Sequence, residues 1–286
     1  MQWVLVLGLV ILCILALIVS FQQSLLFYPE TGYMWEPKDA KLIQHEGITA
    51  WYWDHFPGQP TVLFCHGNTG NISFYSHINE ICKIQSLNLL LFDYTGYGRS
   101  KGVATPSSVC DDGEKMYRWL TERVPPEKII VWGESLGGAV ATFIASRHTC
   151  KRLVLLSTFS SIGEAMIESG RGWLAYTLGW ALYYSRPFTP LTWMQSVRCP
   201  VLIVHSTEDD LIPYTNAQRL YDAVLHQDKK KLSIKGGHTS PLADEEQIHE
   251  LFDFCGVECK DVQGIQRELA SIDKKFCGFG MVRDCA

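Results

Sequence analysis

Ser135 is the residue with the clearest capacity for chemistry, because it lies in a G-x-S-x-G pattern at residues 133–137. An apolar run precedes the pattern at residues 129–132, and an alanine-rich helical segment follows it. A serine between a strand and a helix sits on a sharp turn that exposes its hydroxyl. Glycine is required at 133 and 137, because a side chain there would collide with the neighbouring strand and helix. The pattern predicts that Ser135 is a nucleophile.

A serine hydroxyl needs a base to take its proton, and the base needs a carboxylate to orient it. Asp209 is the predicted carboxylate, since it follows the apolar residues 201–204 in a D-x-x-I-P sequence. Glu208 and Asp210 are rival acids, and a solvated acidic loop is the alternative interpretation. His238 is the predicted base, because it follows a further strand-like run and two glycines that permit a tight loop.

Attack on a carbonyl also needs two backbone N–H groups that stabilise the developing oxyanion. The N–H of Leu136, directly after the nucleophile, is the first predicted donor. The second is expected in the loop at residues 65–71, which follows another apolar run. Gly67 and Gly70 let this backbone approach closely, and Asn68 is the predicted donor. A glycine-containing turn without a role is the alternative.

These residues must be positioned by an alternation of strands and helices. Continuous apolar runs are typical of strands buried on both faces of a sheet. They occur at residues 61–65, 87–92, 129–132, 153–156, 201–204 and, more weakly, 231–234, while residues 48–53 are predicted to form a half-buried strand. Helical patterns lie between them at residues 106–123, 136–148 and 215–225. The order predicts an α/β fold with a mainly parallel sheet, whose ligand site lies at the carboxyl ends of the strands.

Three further motifs accompany these patterns, at residues 25–29 (LLFYP), 66–71 (HGNTGN) and 93–100 (DYTGYGRS). With the serine, acid and histidine motifs, they resemble the α/β-hydrolase superfamily over roughly residues 24 to 255. Within it, the sequence is similar to the BEM46-like and ABHD13-like membrane-anchored serine hydrolases. The resemblance implies a sheet of about eight strands flanked by helices, and a Ser-His-Asp triad. Thr95 stands where the family usually has arginine.

The resemblance also marks residues outside the triad. His66 and Gly67 are expected at the substrate site, whereas Asp93 and Gly96 are expected to shape a loop. An aromatic-rich stretch at about residues 160–198 is expected to form a small helical cap over the nucleophile, with substrate contacts from its Trp173 and Trp180. An ordinary packed helix is the alternative interpretation of these aromatic residues.

Residues 1–23 are predicted to be an N-terminal transmembrane anchor, followed by a hydrolase domain at residues 24–259. Residues 3–21 carry no charge and would span about 28 Å as a helix, close to the thickness of the bilayer core. The lipid bilayer is therefore an expected partner, and the protein is expected at a membrane. A cleaved or lipidated signal is the alternative, and the side of the membrane stays open. Residues 260–286 form an extension to which the sequence assigns no role.

Composition excludes one class of function and leaves the cysteines open. The 286-residue chain has a net charge of −5, so it lacks the basic surface that nucleic-acid binding requires. Ten cysteines are present, and their spacing favours free thiols. A bridge or metal site is the alternative for the four nearest the C-terminus, Cys255, Cys259, Cys277 and Cys285.

The expected activity is hydrolysis of carboxylic esters or thioesters, with lipid-like or acyl substrates, through an acyl-enzyme. No metal or organic cofactor is expected for this chemistry. A peptidase or amidase with the same triad is one alternative, and a non-enzymatic membrane scaffold is another. An acyltransferase is a further alternative, from the H-x-x-x-x-D spacing at residues 205–210.

Overall fold

The computed structural model describes residues 6, 8, 26–170, 172–185, 187–238 and 244–277. The predicted anchor at residues 3–21 lies outside these ranges, apart from residues 6 and 8. In the part of the chain that is described, none of the helices combines the length and the apolar character needed to cross a bilayer. The anchor therefore stays a prediction.

Eight strands form the central sheet, and seven of them match predicted strands, although the strand at residues 48–53 is buried at every position and not half-buried as predicted. They are β1 (Lys41–His45), β2 (Ile48–Trp53), β3 (Thr61–Cys65), β4 (Asn88–Phe92), β5 (Ile129–Glu134), β6 (Arg152–Leu156), β7 (Val201–Ser206) and β8 (Lys229–Ile234). Strand β1 was not predicted, because it lies at the sheet edge and most of its side chains are exposed.

The strands are ordered β8-β7-β6-β5-β3-β4-β2-β1, and β3 through β8 pair in parallel. Strand β2 runs antiparallel to both of its neighbours. The chain passes from β3 to β4 on one side and then returns to β5 on the other. This reversal opens a crevice at the carboxyl ends of β3 and β5, where ligands bind in such sheets. The predicted mainly parallel sheet flanked by helices is confirmed.

Nine helices are described around the sheet. They are α1 (Ser76–Ile84), α2 (Pro106–Thr121), α3 (Leu136–Arg147), α4 (Ile162–Glu168), α5 (Trp173–Ser185), α6 (Pro190–Met194), α7 (Thr215–Ala223), α8 (Glu245–Cys255) and α9 (Val262–Cys277). Helices α4, α5 and α6 lie between β6 and β7, in the stretch where a cap was expected.

Both faces of the sheet are buried, because alternate side chains of each central strand enter different cores. In β3, Leu63 packs in one core, while Val62 and Phe64 pack in the other. The second core continues past residue 259 and includes Val262 and Ile265 of helix α9. The start of the predicted C-terminal extension therefore packs against helices α1 and α8 in this core.

The residues before the sheet are tied to the loop that follows β3. Tyr28–Pro29 pairs in parallel with Thr69–Gly70 as a two-residue ladder. The fully buried Asn71 donates through Nδ2 to the carbonyl oxygens of Glu30 (3.0 Å) and Gly32 (2.7 Å), and its Oδ1 accepts from the N–H of Ser73. The connector is thereby held against the carboxyl end of β3.

The side chains of seven cysteines are described, and all seven are free thiols, six of them buried. This agrees with the predicted free state for the described cysteines. Cys150 and Cys199 precede the neighbouring strands β6 and β7, and their sulfur atoms lie 3.2 Å apart.

We expect Gly137→Ala to destabilise the protein by about 2–3 kcal/mol and to lower its Tm by about 5–10 °C. The new methyl group would lie 2.5 Å from the carbonyl oxygen of His66 and closer still to that of Cys65. Backbone atoms cannot move aside as a flexible side chain can. Gly32→Ala is the matched control, since nothing lies within 4 Å of its new methyl group. Equal Tm values for the two variants in thermal unfolding would contradict this packing.

Candidate active site

Ser135 occupies a strained turn between β5 and α3. Its backbone has φ 51° and ψ −117°, a conformation that residues other than glycine rarely adopt. The neighbouring strand fixes this turn, because the N–H of Ser135 donates to the carbonyl oxygen of Leu156 at 2.9 Å. The hydroxyl of Thr158 donates to the carbonyl oxygen of Ser135 at 2.7 Å. Hydrogen bonds at both the N–H and the carbonyl oxygen of Ser135 therefore hold this residue at the carboxyl end of β5.

The glycines around Ser135 allow the strand, turn and helix to touch. A methyl group on Gly133 would lie 2.7 Å from Cβ of Ala141, in the second turn of α3. A methyl group on Gly137 would overlap the carbonyls of Cys65 and His66. These are the collisions expected from the sequence, and the second brings the loop after β3 against the start of α3.

His238 lies between Ser135 and Asp209. Its Nε2 is 3.0 Å from Oγ of Ser135, and its Nδ1 is 2.8 Å from Oδ2 of Asp209. Three distant stretches of chain thus meet at the carboxyl ends of the strands, as the sequence predicted for these residues. With Nδ1 protonated and donating to the carboxylate, Nε2 is free to accept the serine proton. We refer to these three residues as the relay.

Both oxygens of the Asp209 carboxylate accept hydrogen bonds. Its Oδ1 accepts from the N–H of Leu211 (2.9 Å) and the N–H of Ile212 (2.8 Å), while its Oδ2 faces His238. Burial by itself would raise the pKa of this carboxyl. Hydrogen bonds from His205 and His238, with the charge of His238 and the Ile212 N–H, instead hold the pKa well below its usual range. Asp209 is therefore ionised wherever the protein is folded near neutral pH.

His205 is a second histidine on the same carboxylate, and sequence reasoning missed it. Its ring is fully buried, and Nε2 lies 3.3 Å from Oδ2 of Asp209. The same Nε2–H donates to the carbonyl oxygen of Ile212 at 2.8 Å. His205 therefore positions both the acid and the loop around it. Its place at the end of β7, four residues before Asp209, was the available signal.

The rival acids have other positions. Oε2 of Glu208 accepts from the N–H of Gly236 at 3.0 Å, and the hydroxyl of Ser206 donates to the carbonyl oxygen of Gly236. These bonds join the acid loop to the loop that carries His238. Asp210 is exposed. The structure places Asp209, and neither rival, on His238.

The loop after β3 lies beside the nucleophile. A methyl group built on Gly67 would be 3.8 Å from Cβ of Ser135. The N–H of Gly67 already donates to the hydroxyl of Tyr75 at 2.9 Å. By contrast, the N–H of Asn68 has no acceptor among the described residues, and the N–H of Leu136 begins helix α3, where no intrahelical partner exists. Asn68 and Leu136 are the two predicted oxyanion donors.

Two tyrosines of the 93–100 motif donate hydrogen bonds to carbonyl oxygens of this loop. The hydroxyl of Tyr94 donates to the carbonyl oxygen of His66 at 2.8 Å, and that of Tyr97 donates to the carbonyl oxygen of Asn68 at 2.6 Å. Both rings are fully buried. The sequence predicted a structural role for Asp93 and Gly96 of this motif but did not identify the tyrosines as supports of the loop after β3.

His66 is fully buried among aromatic rings, with the Tyr94 ring centroid 4.2 Å away. Burial lowers the pKa of His66 to about 4, so the ring is neutral at physiological pH. Its Nδ1–H donates to the carbonyl oxygen of Gly67 at 2.7 Å. The structure thus places His66 beneath the loop as a support, away from solvent, although the sequence suggested a substrate contact.

Trp173 and Trp180, the other expected substrate contacts, lie on helix α5. Their side chains are 78% and 40% exposed, respectively. Neither is enclosed by the cap in this structure.

A family model for the alpha/beta hydrolase fold matches residues 60–190. An uncharacterized protein of Mycobacterium tuberculosis strain H37Rv is 30% identical over 247 residues, which cover 78% of this chain and 82% of that protein. The chain belongs to the α/β-hydrolase superfamily. The membrane-anchored BEM46-like and ABHD13-like subtype of this superfamily stays a prediction.

Two other proteins of this fold are similar to the chain. A Danio rerio protein named lysophosphatidylserine lipase ABHD12 is 28% identical over 206 residues, which cover 66% of this chain and 52% of that protein. The structure of the Pyrococcus furiosus esterase Pf2001 superimposes with a TM-score of 0.65, covering 81% of this chain and 97% of that one. At 22% identity, the latter likeness concerns the α/β-hydrolase fold.

Glu134 is an additional titratable group beside the nucleophile. Burial raises its pKa from 4.5 to about 6, while the charge of His238 acts in the opposite direction. The folded protein therefore binds this proton more tightly than the unfolded chain does between pH 4.5 and 6. The contribution of Glu134 to stability consequently falls as pH rises through this window.

We expect Glu134→Gln to remove this contribution, so that the variant gains stability relative to the wild type as pH rises from 4.5 to 6. The relative gain should be on the order of 1 kcal/mol. Denaturant unfolding at half-unit pH steps measures it. Glu127→Gln, at an exposed carboxylate, is the control and should track the wild type. A parallel pH dependence for Glu134→Gln and the wild type would contradict the proposed titration.

Proposed function

We propose that this protein is a serine hydrolase that cleaves carboxylic esters or thioesters of lipid-like or acyl substrates. The observation that carries the proposal is the position of His238, 3.0 Å from Oγ of Ser135 and 2.8 Å from the carboxylate of Asp209. The array has the geometry that nucleophilic catalysis by serine requires.

In the first half of the proposed reaction, Nε2 of His238 takes the proton from Oγ of Ser135 as this oxygen attacks the carbonyl carbon of the substrate. The protonated imidazole is stabilised by the ionised Asp209, which also keeps Nδ1 as the donor. The carbonyl oxygen becomes negative and is received by the N–H groups of Leu136 and Asn68. His238 then gives the proton to the leaving alcohol or thiol, and the acyl group stays on Ser135.

In the second half, His238 takes a proton from a water molecule, and the resulting hydroxide attacks the acyl carbon. The same two N–H groups receive the oxyanion again. The proton returns to Oγ of Ser135 when the carboxylic acid leaves. Each step uses side chains and backbone groups from the loops that follow β3, β5, β7 and β8.

Two observations favour an ester with an acyl chain. The Danio rerio relative is named as a lipase, and the Pyrococcus furiosus neighbour in structure is an esterase. The sequence also carries the uncharged residues 3–21, for which we propose membrane anchoring. An enzyme held at a bilayer meets lipid-like esters at high local concentration.

We expect Ser135→Ala to lower ester turnover by about 10⁴-fold or more while leaving thermal unfolding nearly unchanged. The measurement is hydrolysis of p-nitrophenyl esters of increasing chain length, beside acyl thioesters and aminoacyl anilides. Labelling by a fluorophosphonate probe should disappear in the same variant. Wild-type protein that is folded but neither labels nor hydrolyses any of these substrates would instead support the non-enzymatic scaffold.

We expect Asp209→Asn to lower turnover by about 10⁴-fold, because an amide at this position favours the wrong tautomer of His238. Asp210→Asn is the matched control and should leave turnover close to that of the wild type, since this side chain is exposed. Steady-state kinetics on the preferred ester compares the two. A larger loss in Asp210→Asn than in Asp209→Asn would overturn the assignment of the acid.

A further inference from the structure

Helix α5 of the cap presents aromatic side chains to solvent along one face. Trp173, Tyr176, Trp180 and Tyr184 are 78%, 50%, 40% and 76% exposed. Their spacing of three, four and four residues places them in one stripe of the helix. We call these four residues the outer α5 face.

The opposite side of the helix is fixed against α4. A methyl group on Gly163 would lie 2.6 Å from Cα of Tyr183 and 2.7 Å from the carbonyl oxygen of Gly179. The two helix backbones therefore touch, while Ala181 and Leu182 are buried. This contact prevents α5 from turning its aromatic stripe inward, so the exposure is built into the packing of the cap.

Three of the four rings of the outer α5 face contact one another. The Trp180 ring stacks on Tyr184 with centroids 5.9 Å apart, and Tyr176 meets it edge-on at 6.2 Å. No charged residue occurs between Trp173 and Ser185. A contiguous aromatic surface without charge is unusual for a face turned to water, and it marks an interaction site.

The path of the chain indicates what covers this face. Leu26 and Phe27 are buried, and the Phe27 ring lies 6.5 Å from that of Phe188, which follows α5 by three residues. The apolar residues 3–21 end five residues before Leu26, a distance of at most about 18 Å even for an extended chain. The apolar N-terminal sequence therefore joins the folded domain beside the cap.

We propose that the outer α5 face lies in the interfacial layer of the same lipid bilayer that holds residues 3–21. Tryptophan and tyrosine favour this layer, where their rings meet acyl chains and their polar atoms meet head groups. The proposal concerns binding and does not depend on the catalytic activity. It gives the domain two membrane contacts and hence a fixed orientation, with the cap toward the lipid.

Quenching of tryptophan emission by brominated phosphatidylcholine tests this contact. The full chain is placed in nanodiscs of brominated or ordinary lipid, and the quenched fraction of the emission is measured. Of the nine tryptophans, Trp3, Trp173 and Trp180 would lie at the bilayer. If the tryptophans emit equally, the quenched fraction should be about one third in the wild type and about one seventh in Trp173→Phe/Trp180→Phe.

The matched control is Trp119→Phe/Trp132→Phe, which removes two buried tryptophans away from α5. Its quenched fraction should rise to about three sevenths, because only unquenched emission is lost. The proposal is overturned if Trp173→Phe/Trp180→Phe leaves the quenched fraction unchanged or raises it as the control does. A second copy of this chain on the outer α5 face would give that outcome, since it would shield both rings from lipid.

Discussion

The contact between Gly137 and the carbonyls of Cys65 and His66 joins the two halves of the candidate active site. On one side of it, helix α3 begins and holds Ser135 in its strained turn. On the other side, the loop after β3 carries Asn68. Because these backbones touch, the N–H groups of Leu136 and Asn68 are fixed relative to the nucleophile. In the proposed mechanism, oxyanion stabilisation depends on donors that are in place before charge develops, and this contact would supply that preorganisation.

Hydrogen bonds between two loops position Asp209 and His238. His205 and two backbone N–H groups hold Asp209, while Glu208 and Ser206 bind Gly236 in the loop that leads to His238. Asp209 and His238 are therefore positioned together. A relay built on two connected loops keeps its 2.8 Å and 3.0 Å distances only while both loops keep their places.

The sequence was sufficient to predict the sheet and the residues that meet at the carboxyl ends of its strands. Buried strands are apolar, and the polar residues of the candidate site lie in the loops directly after them. Residues 61–65 and 201–204 show this well. It was insufficient where function depends on contacts between distant residues of ordinary type. Tyr94 and Tyr97 donate to carbonyl oxygens of the loop after β3 from the loop after the neighbouring strand β4, and His205 contacts Asp209. Strand β1 was not predicted because it is the outermost strand of the sheet, where most side chains are exposed and few need to be apolar.

Asn71 begins the sequence Asn-Ile-Ser, which is the acceptor pattern for attachment of N-linked sugar. Its side chain is inaccessible, and both its amide and its oxygen are used within the fold. A glycan at this asparagine would remove the ties between the connector and the loop after β3. A test of the proposed anchor by glycosylation mapping therefore requires an introduced acceptor on an exposed loop, because the absence of a glycan at Asn71 would carry no information about topology.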